Sequence, residues 1–234
     1  MLVTVNPKSD EILLTSIPRD YQIRMVNHGN QADKITHTGF YGTEDTIGAV
    51  EDLLDIKVNY YVKVNFTTVI KFIDAIGGID VYSEYTFRPV KMPSYIVSKG
   101  MNHMGGQKAL AFARERKAFE EGDNQRIKNQ QAVFEAMIKK ATSSKTILLK
   151  YNNIITALSD YIEMNISSQE IRSLVKLQIA KSPNWKIEKI TLKGHDSSTG
   201  TYSTGSTPCY VMAQDADSIA EAKQKINQIM TDGE

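Results

Sequence analysis

The chain lacks most of the features that announce a function directly. It has a single cysteine, Cys209, in 234 residues. An intrachain disulfide and a cysteine-based zinc site are therefore excluded. The cysteine lies in "TPCYVMA", which reads as a strand carrying a small packed side chain. No run of about 18 apolar residues occurs, so no segment reads as a membrane span, and no signal peptide is visible. Charge of one sign is also missing. The formal net charge is +1, whereas a general nucleic-acid binder carries a basic excess that neutralises phosphates. No helix-turn-helix signature is present. Nucleic acid is thus not an expected partner, and any anion site must be local. The HExxH, P-loop, GxSxG and dinucleotide fingerprints are all absent. "HDSS" at 195–198 has the letters of a catalytic triad, but a triad is assembled from separated segments.

What remains is ordinary globular composition, 41% hydrophobic and 24% charged, enough to bury a core without disulfides or metals. Leu2–Val5 and Glu11–Ser16 read as a hairpin across "NPKSD". Thr43–Leu54 reads as a helix, with acids in its first turn and Ile47, Val50, Leu53 and Leu54 at helical spacing. "NYYVKVNF", "TTVIKFIDAI" and "IDVYS" predict strand, buried helix and strand, a right-handed crossover. Residues 83–105 read as irregular. Helices follow at "QKALAFAR", after Asp123, at "TILLKYNNIITAL" and at "SSQEIRSLVKLQIA", with Ile171, Leu174 and Val175 inward. "WKIEKITL" is a strand, "GHDSSTGTYSTGSTP" a flexible loop, "CYVMA" a strand and Asp215–Met230 a helix. The expected fold is a single mixed α/β domain over residues 1–234, with helices on both faces of the sheet. The chain opens directly in strand-like sequence, "MLVTVNP", as a fragment lacking its natural N-terminal portion would.

Two stretches carry candidate chemistry. In "FARERKAFEEGDNQRIKNQQ", Arg114, Arg116 and Arg126 surround a helix break. Asp123 is expected to cap the second helix. Arg126 lies in that helix's first turn, where a cation opposes the dipole unless an anion docks there. Gln130 is one turn on and shares its face; Phe134 and Met137 continue that face inward. Guanidiniums grip phosphate bidentately and stay charged. The plain alternative is a surface turn salt-bridged by Glu115, Glu120 and Glu121. In "SIPRD", Arg19 and Asp20 sit at a strand end, where α/β proteins place sites. Asp20 can serve Mg²⁺, which takes one or two carboxylates plus phosphate oxygens. A simple Arg–Asp turn pair is the alternative. His37 follows Lys34 and precedes a helix start, where it can line a site.

"LVTVNPKSDEILLTSIPRD", "KITHTGFYG", "VNYYVKVNFTTVIKFIDAIGGIDV", "GMNHMGGQKALAFARER" and "GDNQRIKNQQ" occur in that order. By these ordered motifs the chain resembles the LytR-CpsA-Psr family of Gram-positive cell-wall enzymes. The resemblance implies a three-layer α/β/α sandwich with a central mixed β-sheet and a hydrophobic polyprenyl tunnel. It implies a metal-dependent phosphotransferase, using Mg²⁺ or Mn²⁺. Such an enzyme moves an anionic glycopolymer, wall teichoic acid or capsular polysaccharide, from an undecaprenyl-pyrophosphate carrier to peptidoglycan. It also implies an N-terminal membrane helix, missing here, and work at the outer face of the cytoplasmic membrane. By motif position, Arg19, Lys34, Arg114, Arg116, Arg126 and Gln130 would bind pyrophosphate, and Asp20 the metal. Asp123 would be the base toward the acceptor hydroxyl, with Arg126 and Arg114 catalytic. The family's Ser–Asp pair precedes the position of Met1, so a partner aspartate for the metal is not in this sequence. The family often has two glycines where "YGTE" keeps only Gly42. Other readings of the same site are a polyprenyl-phosphate binding module, a pyrophosphatase without transfer, and a transcriptional regulator, which the charge and motifs oppose.

Overall fold

A computed structural model of the protein describes residues 1–231. The chain divides into two compact units: Met1–Asn59 with the segment from Trp185 onward, and Tyr60–Asn184. The first unit opens with strands β1 (Leu2–Asn6) and β2 (Glu11–Ser16), paired antiparallel as the sequence predicts. Asn6 shapes the turn between them, its Oδ1 accepting from the Lys8 amide at 2.9 Å. Strands β3 (Gln22–Met25) and β4 (Gln31–Lys34) form a second hairpin. Helices α1 (Ile35–Thr38) and α2 (Thr43–Leu54) follow.

The second unit contains strand β5 (Val62–Val64), helix α3 (Phe66–Ala75), and strands β6 (Ile79–Ser83) and β7 (Gly100–Met104). Then come helices α4 (Gly106–Arg114), α5 (Asp123–Ser143), α6 (Lys145–Leu149) and α7 (Tyr151–Leu158). Strand β8 (Ile162–Met164) and helix α8 (Ser168–Lys181) complete it. The chain returns to the first unit through strands β9 (Lys186–Thr191), β10 (Gly194–Thr199) and β11 (Cys209–Gln214) and helix α9 (Ala216–Thr231).

The mixed α/β class holds. In the first unit β9 lies parallel to β2, making the mixed sheet β1-β2-β9. Its central strand β2 is buried from Ile12 to Ser16, as a strand flanked on both edges and covered by side chains must be. Ala222, Ile226 and Ile229 of α9 join Leu13, Ile23, Leu53 and Leu54 in one core, the inward face the sequence predicts for that helix. The second unit has its own core of Ile73, Ile79, Val81, Met104, Ala109, Phe112 and Val133. Gly106 brings α4 against α3: a Cβ there would stand 2.3 Å from the Ile70 carbonyl oxygen.

Several expectations are corrected. The crossover over residues 59–83 does not form. Asn65 caps α3 through a reciprocal pair with Thr68, so the helix starts at Phe66 and β5 keeps only three residues. β5 pairs antiparallel with β8, and β6 pairs antiparallel with β7. β6 alternates buried and exposed residues, the pattern of an antiparallel strand with one wet face. Its partner β7 lies in a segment expected to be irregular. The Gly/Ser/Thr loop is half strand, since residues 194–199 pair with β11. The helix at 146–158 breaks at Lys150 (φ −95°, ψ 7°). Leu174 is exposed rather than inward.

Candidate functional site

In the second unit, α4 ends at Arg114 and α5 begins at Asp123. Gly122 precedes α5 in the left-handed region (φ +53°), and no side chain caps the helix. Asp123 is therefore not the cap that the sequence suggests. It stands within the first turn, and its Oδ1 lies 2.7 Å from Nη2 of Arg126. The pair satisfies the dipole rule only in part, since the carboxylate suits a helix start and the guanidinium does not. Arg126 is 16% exposed, and its Nε is buried with no hydrogen-bond partner. A buried donor without a partner costs free energy unless something arrives to accept from it.

Two acids near this turn, Glu115 and Glu121, are engaged away from Arg114 and Arg116. Glu121 accepts from Lys128 at 2.7 Å, a bond that raises the Lys128 ammonium above its usual range. Glu115 is buried on backbone amides. Arg114 and Arg116 are exposed, and neither has a carboxylate partner among the described residues. The Arg114 guanidinium instead lies over the Phe66 ring, 4.3 Å from its centroid, a cation–π contact that steadies it without neutralising it. Glu115 and Glu121 thus do not neutralise Arg114 or Arg116.

Gln130 is exposed, and α5 buries a different face: Gln125, Ile127, Asn129, Gln131, Val133 and Ala136. Phe134, Met137 and Ile138 are half-buried. Amides can line a core face when paired. Gln125 donates to Asn129 Oδ1 at 3.0 Å, and Asn129 Nδ2 donates to the Phe112 carbonyl at 3.2 Å. Asn129 thereby ties the C-terminal end of α4, just before Arg114, to α5. Helical periodicity of apolar residues alone does not report such a face, so Gln125 and Asn129 went unread.

In the first unit, Pro18 and Tyr21 close a turn, the Tyr21 amide donating to the Pro18 carbonyl at 3.0 Å. Arg19 and Asp20 are its central residues. Amides of Ile35 and Thr36 donate to the carbonyls of Tyr21 and Arg19, fixing the start of α1 on this turn. Lys34 is brought alongside, Nζ donating to Asp20 Oδ1 at 3.0 Å, with Lys34 12% exposed. Arg19 Nε lies 3.6 Å from Asp20 Oδ2 and is otherwise exposed. One carboxylate thus faces two cations, and the cluster keeps a positive surplus.

Below it lies a residue that sequence reading missed. Asp33 is fully buried. Its Oδ1 accepts from the Lys34 amide and meets His37 Nδ1, both at 2.7 Å. Its Oδ2 accepts from the Ser203 amide at 3.0 Å and from the Ser203 hydroxyl at 2.5 Å. Burial alone would raise the Asp33 carboxyl, but the bonds from Ser203, the Lys34 amide, His37 and Thr201 outweigh it and hold it below the usual range. His37 is oriented by Asp33 and stacks on Phe40.

As to a metal, no group of three or more His, Cys, Asp or Glu among the described residues is placed to hold one. Asp20 is a single carboxylate already shared by Lys34 and Arg19. The donors present do not by themselves build a Mg²⁺ or Mn²⁺ site.

A mixed α/β scaffold with exposed guanidiniums after α4 and a half-buried one at an uncapped helix start suits a phosphate-bearing ligand. The chain belongs to the LytR_cpsA_psr family, whose model matches residues 1–228. It is 32% identical over 203 residues to the polyisoprenyl-teichoic acid–peptidoglycan teichoic acid transferase TagU of Bacillus mycoides, covering 86% of this chain and 65% of that protein. The chain thus spans less than two thirds of the length of the curated relatives it matches first. Among solved structures, B. subtilis TagV superposes with a TM-score of 0.80 at 28% identity, over 97% of this chain and 87% of TagV. TagT bound to LIIa-WTA superposes with a TM-score of 0.78 at 27% identity, over 97% of this chain and 82% of TagT.

Proposed function

We propose that this chain carries a transferase that moves an anionic glycopolymer from an undecaprenyl-pyrophosphate carrier to peptidoglycan, leaving a phosphodiester link. Membership of the family and the similarity to TagU support the reaction class. The observation that carries the reading is unneutralised guanidinium charge between the end of α4 and the start of α5. Arg114 and Arg116 have no carboxylate partner among the described residues, and a buried donor of Arg126 is unused.

In this reaction an acceptor hydroxyl oxygen attacks the phosphorus nearest the polymer's sugar. The bond from that phosphorus to the bridging oxygen breaks, and polyprenyl phosphate leaves with the electron pair. The hydroxyl proton passes to a base, for which Asp123 is the assigned residue. Little covalent chemistry is asked of the protein beyond positioning and charge stabilisation. Arg114, Arg116 and Arg126 hold the pyrophosphate, with Gln130 in support. The resemblance assigns Arg19 and Lys34 to pyrophosphate binding as well. The resemblance also assigns a Mg²⁺ or Mn²⁺ to Asp20; no step here is routed through it.

The carrier's tail needs a long apolar cavity. The apolar side chains of the second unit's helices would line it. Among the described residues no helix is long and apolar enough to cross a membrane. The resemblance assigns the reaction to the outer face of the cytoplasmic membrane, with an N-terminal membrane helix as tether.

The test is turnover of an undecaprenyl-pyrophosphate-linked glycopolymer with peptidoglycan as acceptor, with and without added Mg²⁺. Polymer joined to peptidoglycan through phosphodiester is the expected product. Phosphate release without joining would make the chain a pyrophosphatase, and binding without turnover would make it a carrier-binding module.

A further inference from the structure

Glu115 lies between the two arginines of "FARER" and is 3% exposed. The sequence suggests a counter-charge for its neighbours, yet the side chain turns away from both. Its Oε1 accepts from three successive amides, those of Arg116 at 3.0 Å, Lys117 at 2.7 Å and Ala118 at 3.1 Å. Its Oε2 accepts from the Val90 amide at 2.6 Å. Four backbone donors from two separate loops therefore end on one buried carboxylate.

Two consequences follow for the residues beside it. Successive amides pointing into one concavity form a nest that binds anions. Here the protein's own carboxylate fills the nest, so a phosphate arriving at this turn is met by guanidiniums and not by these amides. α4 ends at Arg114, and residue 115 leaves it in extended geometry, at φ −72° and ψ 131°. Glu115 is buried while Arg114 and Arg116 on either side of it are exposed, and fixing the amides of residues 116–118 fixes where Arg116 starts.

We infer that Glu115 is a positioning residue, a buried internal anion that sets the spacing and direction of the Arg114–Arg116 pair for a pyrophosphate. The inference rests on the reading that this pair binds pyrophosphate. A carboxylate that accepts from amides can do this without quenching the guanidiniums, which an acid exposed beside them would do. Val90 extends the same anchor to the loop between β6 and β7, tying that loop to the turn.

The test is calorimetric binding of geranylgeranyl diphosphate to the whole chain and to its Glu115→Gln variant. Gln keeps the size of the side chain but replaces one acceptor oxygen with a donor facing amide donors. Affinity is expected to fall about tenfold or more, as a displaced clamp loses its geometry. Glu170→Gln is the control: it replaces one of the two oxygens that accept from Tyr60 and Ser167 in the same unit, and its affinity is expected to match the parent. A general loss of stability would weaken binding in both variants, and that result would overturn the inference. So would a Glu115→Gln protein that binds like the parent. The double variant Arg114→Ala/Arg116→Ala separates the layers. If it too binds like the parent, the pyrophosphate reading falls with the inference; if it alone loses binding, only the role of Glu115 falls. Should Glu115→Gln not fold, Glu115→Asp, which keeps the charge and shortens the reach, is judged by the same outcomes.

Discussion

Arg126 and Asp123 face each other across the first turn of α5, Nη2 to Oδ1 at 2.7 Å, while Nε of the same guanidinium is buried without a partner. One edge of the fork is held and the other is free. Arg126→Ala is expected to lower transfer by about 100-fold or more, the usual cost of removing a preorganised donor to developing charge. The melting temperature should hardly change. Arg126→Lys restores charge without the fork and should recover only part of the activity. Steady-state kinetics with a polyprenyl-pyrophosphate donor checks both variants.

Arg114 and Arg116 should show the signature of unneutralised charge. Their contribution to pyrophosphate binding weakens as salt rises, because exposed charges are screened over a Debye length of about 8 Å at physiological ionic strength. Binding to the double alanine variant should be weaker and less sensitive to salt. Phe66→Ala removes the ring under Arg114 and is expected to cost about 0.5–1 kcal/mol of binding. Titrations over a range of salt measure all three effects.

Asp33 sets a pH dependence in the first unit. Hydrogen bonds hold its carboxyl below the usual range despite its burial, while an unfolded aspartate titrates near about 3.9. The stabilisation is complete above that unfolded value and is lost as pH falls through the lower folded one. Asp33→Asn is expected to destabilise the protein by about 2 kcal/mol at neutral pH, since donors of Ser203 and the Lys34 amide lose a charged acceptor. The gap between variant and parent should narrow in acid. Urea unfolding at a series of pH values reads both quantities.

Asn129 and Gly106 govern how α4 is seated. Asn129→Ala removes one of two donors to the Phe112 carbonyl and leaves the Gln125 side-chain amide without its acceptor, and is expected to cost about 1–3 kcal/mol. Gly106→Ala drives a methyl into the Ile70 backbone and should cost about as much through overpacking. Both predictions are checked by thermal melts.

The first unit was the more legible in sequence. The β1–β2 hairpin, α2, β9, β11 and the inward face of α9 are all local patterns of period two or 3.6. What local patterns could not reveal was pairing. β7 and β10 carry Gly, Asn, His, Ser and Thr, and they are strands because β6 and β11 supply their hydrogen bonds. The arginines, Asp20 and Lys34 stood out because charge at a turn is conspicuous. Their supports did not. Glu115 reads as a counter-ion because it neighbours two arginines, and Asp33, between Ala32 and Lys34, offers no pattern to read. Each proves buried only once amides from distant segments converge on it. Asn129 and Gln125 escaped for a related reason, as a polar pair on the core face of a helix leaves no apolar period.

The most direct test of the account is a crystal structure of the protein with geranylgeranyl diphosphate bound. The account predicts diphosphate oxygens within hydrogen-bonding distance of the guanidiniums of Arg114, Arg116 and Arg126, with Nε of Arg126 at last partnered. A diphosphate seated away from these arginines, or none bound at concentrations that saturate turnover, would contradict it.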